Sequence, residues 1–140
     1  MISEQVIHGA REWYDNVLNI KPLSSNLVLE STTCGDVTVR SKHRESGEAA
    51  DVIVYVTVTD SYPEAYGFAV LCERDSDGYP LAGYMHLEAS NLAQMSREVM
   101  LGVAIHEIAH VLAFNEELYS AFNNSTIAIT EAVYDHKQFK

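Results

Sequence analysis

The stretch Val103-Ala-Ile-His106-Glu107-Ile-Ala-His110-Val-Leu-Ala-Phe114 decides how the rest of the chain is read. Helical geometry stacks residues four apart one turn above the other, so His106 and His110 share a face and can grip one metal ion. Glu107, the next residue along, brings a carboxylate within reach of a metal-bound water. Two ligands and a general base then come from one turn of helix. The competing reading is a surface histidine pair beside an acid. Against it stand Val99, Met100, Leu101, Val103, Ile105, Ile108, Val111, Leu112 and Phe114, which make the helix apolar on most sides. A core helix does not bury three ionisable groups unpaired, and zinc is the partner this spacing suits.

Composition narrows the other classes. A chain of 140 residues, 47% apolar and 21% charged, is expected to form one domain over residues 1–140 with a substantial core. Nine basic against 20 acidic residues leave a formal net charge of −11, the opposite of a nucleic-acid binder's basic footprint. Basic or neutral partners are expected instead. No apolar run approaches the roughly 18 residues of a transmembrane segment, and Met1-Ile-Ser-Glu-Gln5 shows no signal-peptide pattern. Cys34 and Cys72 suit either one bridge in a secreted protein or two reduced thiols in the cytoplasm. Asn123-Asn-Ser-Thr126 holds two overlapping glycosylation sequons, which matter only on the secretory route.

Pattern predicts the elements on either side. Ser3 caps a first helix with Val6, Ala10, Trp13, Val17 and Leu18 on its apolar stripe, ending by Pro22. His8 near that stripe reads as structural or exposed. Residues 27–30 and 37–40 read as short strands around a turn, and 41–50 as a polar exposed loop in which His43 has no special role. Residues 51–59 make the clearest strand, rich in β-branched side chains, and their two half-apolar faces predict a central place covered on both sides. Residues 67–72 and 81–87 form a hairpin around the Asp77-Gly78 and Tyr79-Pro80 punctuation. Asp75, Asp77 and Gly78 lack the glutamate at the twelfth loop position that a calcium site requires. His86, at the hairpin's end, reads as a satisfied structural histidine ahead of a cleft-lining one. Ser96 caps the metal helix, which runs to Leu112 or Ala113, and a final helix is expected over 126–136.

Three segments together resemble the leishmanolysin family of zinc metallopeptidases, a branch of the metzincins. They are Asp51-Val-Ile-Val-Tyr-Val-Thr57, Cys72-Glu-Arg-Asp-Ser-Asp-Gly-Tyr-Pro-Leu-Ala-Gly83-Tyr84 and His106-Glu-Ile-Ala-His-Val-Leu-Ala-Phe114, in the family's order and spacing. The resemblance implies an α+β fold, a metzincin-like zincin subdomain in which a twisted mixed β-sheet packs on an active-site helix, with N-terminal and C-terminal helices. It implies Zn2+ as cofactor and a peptide or protein as substrate. His106 and His110 match two zinc ligands, Glu107 matches the catalytic glutamate, and 84–87 match the edge strand on which an extended substrate lies. Family members are often secreted or held at the cell surface, while some relatives look cytoplasmic, so the compartment stays open. Two positions depart from the metzincin pattern. Ala113 stands where a glycine turns the chain out of the helix, and Glu116 where common metzincins carry a third histidine. Leishmanolysin relatives supply that histidine from far downstream, and 124–139 are similar to the segment that precedes it.

A catalytic zinc takes three protein ligands and a water. His136 has the right chemistry and sits in the expected terminal helix. Glu131, in Thr130-Glu-Ala-Val-Tyr-Asp135, is similar to the second-helix glutamate of thermolysin-like zincins, with Asp135 steadying a histidine. Glu116 serves only if the metal helix breaks early, and the last alternative is that the third ligand is missing. With a complete site (His106, His110 and His136 as ligands, Glu107 as catalytic base) the function is a zinc metalloendopeptidase. Glu107 takes a proton from the attacking water and passes it to the leaving amine. Tyr84, Tyr119 and Tyr134 are candidate donors to the developing oxyanion. With an incomplete site the chain is an inactive or truncated metzincin-like domain acting as a binding or structural module. An amidohydrolase of a small substrate would use the same three groups.

Overall fold

The computed structural model describes residues 4–20, 22–112 and 114. Helix α1 (Glu4–Val17) buries Val6 and Ala10, as its periodicity predicts. Its inward stripe then continues through Tyr14, packed against the same core, and not through Trp13 and Val17, which are exposed. Tyr14 can be half-buried because its hydroxyl finds a backbone acceptor in the core, at Ile105. Ser3 lies outside the described residues.

The next segment departs from expectation. Residues 27–30 form no strand: Leu27 makes a single antiparallel bridge to Glu48, while Leu27 and Leu29 are buried by side-chain packing. The hairpin is shorter and later, β1 (Thr33–Cys34) against β2 (Val37–Thr38). The expected loop contains helix α2 (Ser41–Glu45), and its His43 is buried, with Nδ1 2.6 Å from the Tyr55 hydroxyl. A polar run of barely one turn carries no periodicity from which such burial can be read.

The main sheet holds β3 (Ile53–Thr59), β4 (Gly67–Arg74) and β5 (Pro80–Glu88) in the order β3-β5-β4. Strand β5 runs parallel to β3 and antiparallel to β4, so the sheet is mixed and the predicted 67–87 hairpin is present. The central strand is β5, not the expected 51–59 strand, which is an edge among the described residues. Burial bears this out: residues 82–88 are all buried, whereas Val58 and Thr59 of β3 are exposed. The β-branched run of β3 showed strand propensity, and propensity does not say which strand has two neighbours.

Strand alternation sends β5 side chains into two cores. Met85 and Leu87 face the helices, meeting Val6, Ala10, Leu92, Ala104 and Ile108. Ala82 and Tyr84 face the other way, with Leu27, Leu29, Cys34, Val39 and Ile53. There Cys34 and Cys72 form a disulfide that ties the small hairpin to β4. His86 and Glu88, each 1% exposed, are satisfied internally. The His86 ring lies 3.1 Å from Thr57 Oγ1 and 3.2 Å from Glu88 Oε2, which also accepts the backbone N–H groups of Ser61 and Tyr62. His86 is thus the structural histidine its position suggested.

Helix α3 (Ala89–Leu92) turns the chain into α4 (Arg97–Val111), the helix of the His-Glu-x-x-His stretch. Ser96 caps it as expected, its hydroxyl accepting from the Val99 N–H. Gly83 lets α4 approach the central strand: any Cβ there would overlap the Val111 side chain. The result is a zincin-like arrangement, a mixed sheet packed on α4 with α1 against the same helix. No helix among the described residues is long and apolar enough to cross a membrane. The expected final helix over 126–136 lies outside them.

Candidate metal centre

On α4 the two imidazoles face each other, with His106 Nε2 and His110 Nε2 3.1 Å apart. Two metal–nitrogen bonds of about 2.05 Å meeting at about 100–110° would hold such nitrogens about 3.1–3.4 Å apart, so the pair fits zinc as two of its ligands. The second ring is oriented from behind. His110 Nδ1–H donates to the Phe114 carbonyl at 2.8 Å, and because a carbonyl only accepts, the lone pair is left on Nε2, the atom facing His106. The chain turning out past the end of α4 supplies this bond, and sequence offers no sign of it, since any residue has a carbonyl.

Burial divides the three groups differently from the sequence expectation. Glu107 is buried, 7% exposed, while His106 is exposed and His110 half-buried. Burial pushes the Glu107 carboxyl above its ordinary value, against the opposing pull of His106 and His110. Above it lies the start of β4: a Cβ on Gly67 would sit 3.3 Å from Glu107 Cγ. Among the described residues β4 is an edge of the sheet, and its first residue lies over the Glu107 side chain. That edge is β4, not the expected 84–87, because β5 is paired on both sides.

Other sequence candidates fall elsewhere. Tyr84 is removed as an oxyanion donor, since its hydroxyl bonds Thr57 Oγ1 at 2.7 Å and Asp36 Oδ2 at 3.3 Å on the sheet face away from α4. His8 is exposed beside Glu12. Asp75 Oδ1 is occupied by the N–H groups of Asp77 and Tyr79, a turn and not an ion site. Among the described residues, no group of three or more His, Cys, Asp or Glu side chains could hold a metal ion. His136, Glu131, Asp135, Glu116, Ala113, Tyr119 and Tyr134 all lie outside those residues.

The chain is 34% identical over 89 residues to Leishmanolysin of Leishmania tropica, a match covering 63% of this chain and 14% of that protein. It is 29% identical over 107 residues to Leishmanolysin of Leishmania donovani, covering 76% of this chain and 18% of the relative. A metallopeptidase of Xenopus laevis, the ciliated left-right organizer metallopeptidase, is 28% identical over 85 residues, covering 56% of this chain and 12% of its own length. The chain thus spans less than a fifth of the relatives it matches. The sequence model of the family described as Leishmanolysin matches residues 1–138, and on that span the chain belongs to the leishmanolysin family of peptidases.

Proposed function

We propose that the chain carries the zinc-gripping half of a metallopeptidase site, and that with this half alone it is a binding or structural module of metzincin lineage and not a peptidase. The observation that carries this reading is the convergence of His106 and His110 with no third metal-binding side chain beside them among the described residues. Two imidazoles hold zinc more loosely than the three-ligand set of a catalytic centre. The edge position of β4 among the described residues supports a peptide-binding role, because an open edge takes up extended backbone through main-chain hydrogen bonds. The Cys34–Cys72 disulfide supports residence in an oxidising compartment.

The second reading is a zinc metalloendopeptidase acting on peptides or proteins, and the position of Glu107 favours it. Zinc, when bound, supplies a Lewis acid and a water acidic enough to lose a proton near neutrality. Glu107 would receive that proton on its buried carboxylate and deliver it to the leaving amine. Gly67 and the adjoining edge of β4 would lay the scissile backbone across the carboxylate. This reading needs a third ligand, for which His136 leads and Glu131 and Glu116 follow.

Zinc stoichiometry and affinity of the full chain, with peptide cleavage by the wild type and by Glu107→Gln, separate the two. Weak zinc uptake without cleavage from either form is expected on the first reading. Tight zinc, one ion per chain, with cleavage lost in Glu107→Gln overturns it in favour of the second, and His136→Ala and Glu131→Ala then identify the third ligand by its loss.

A further inference from the structure

Val99, Val103, His106 and His110 follow one another along α4 at spacings of four, three and four residues, which sets them in one line down the helix. The sheet and the helical core take up a different face, through Ala104, Ile108 and Val111. The line itself is largely uncovered: Val99 is 50% exposed, His106 is exposed, and Val103 and His110 are half-buried. A four-three-four spacing is that of the seam along which two α-helices pair in a coiled coil, where apolar residues pack and polar ones select the partner. Beside the seam, a Cβ on Gly102 would meet nothing within 4 Å, so that flank is open to close approach.

The number of metal ligands points to the same face. His106 and His110 converge as two imidazoles, and among the described residues no third metal-binding side chain stands beside them. A structural zinc site is closed by four protein ligands. A second copy of the chain brings the other two by symmetry, because a two-fold axis sets the same surface against itself. Charge makes such pairing depend on the metal. Each chain carries a formal −11, so two copies repel, and a divalent cation among four neutral imidazoles places positive charge where the copies meet.

We infer that two copies of the chain pair along the α4 seam, like with like about a two-fold axis, and share one zinc ion held by His106 and His110 of both. The inference rests on the metal-clamp reading of these histidines and deepens its binding-module form, since it names the partner as a second copy of this chain. A site closed by four imidazoles leaves no position for the water of hydrolysis, in keeping with binding without cleavage.

Sedimentation velocity of the full chain, metal-free and with zinc, beside equilibrium dialysis for bound zinc, tests it. A monomer without metal, a dimer with one zinc per two chains, and a return to monomer in chelator are expected, with zinc affinity rising as chain concentration rises. His110→Ala leaves each copy one ligand and is expected to stay monomeric at the same zinc concentration. Val99→Asp keeps all four imidazoles, and a carboxylate in the first turn suits the helix N-terminus. It is expected to weaken zinc-driven pairing by at least about 10-fold, because like charges then meet across the seam. A monomer that holds one zinc overturns the pairing and leaves the metal reading standing. No zinc uptake overturns both. A dimer that persists in chelator or in His110→Ala, or pairing unchanged by Val99→Asp, also overturns the inference.

Discussion

Glu107 and the histidines on either side of it differ in burial, and that difference governs what each substitution does. Replacing Glu107 by Gln keeps the shape and the hydrogen-bonding capacity while removing the proton acceptor. Any peptide cleavage the chain supports is expected to fall by about 10²- to 10⁴-fold, with zinc uptake unchanged, since the carboxylate is not one of the converging ligands. A metal assay run beside a peptide assay reads both. Glu88 is the second telling residue. Burial opposes its ionisation, but hydrogen bonds from the Tyr62 N–H, from His86 and from the Ser61 N–H outweigh it and hold the carboxyl below its ordinary value near 4.5. A depressed folded value means that the stability Glu88 contributes is complete above the ordinary value and is lost as pH falls through the lower, folded one. Melting temperature plotted against pH should therefore drop steeply below about 4.5 in the wild type and less steeply in Glu88→Gln, which is already less stable at pH 7. Parallel curves would show that the carboxylate contributes nothing through its charge.

Among the elements, α4 shows how far local pattern reaches. Its cap at Ser96, its length and the shared face of His106 and His110 are all properties of a turn or two, and all were legible. Its contact with β5 was not, because that depends on Gly83 meeting Val111 from a different part of the chain. Adding a methyl group there forces α4 and the central strand apart. Gly83→Ala is expected to cost about 1–3 kcal/mol in urea unfolding, the usual penalty for overpacking. Full stability in this variant would mean that the interface has slack. Strand β3 shows the opposite limit. Its residues announced a strand covered on both faces, as it is through Val54 and Val56 on one side and Ile53 and Tyr55 on the other. Its place at an edge among the described residues was misread, since edge and central strands can share one composition.

For the whole molecule, the Cys34–Cys72 disulfide joins the small hairpin to the main sheet across 38 positions. Opening it restores conformational freedom to the unfolded chain, so reduction is expected to lower stability by about 2–4 kcal/mol. A urea midpoint that is the same with and without reductant would contradict this. The hairpin also carries Asp36, which accepts from the hydroxyls of Tyr62 and Tyr84, so the loss should extend into the core behind β5.

By itself the sequence determined the His-Glu-x-x-His helix, the 67–87 hairpin, the α+β class and the family likeness, because each is written in residues close together along the chain. Only the tertiary structure decided that β5 is the central strand, that His43 is buried, that Cys34 and Cys72 are bonded, and that α4 meets Tyr14 through the Ile105 carbonyl and Gly83 through Val111. Those facts arise where residues far apart in sequence meet, and a contact of that kind leaves no periodicity in the chain from which it can be read.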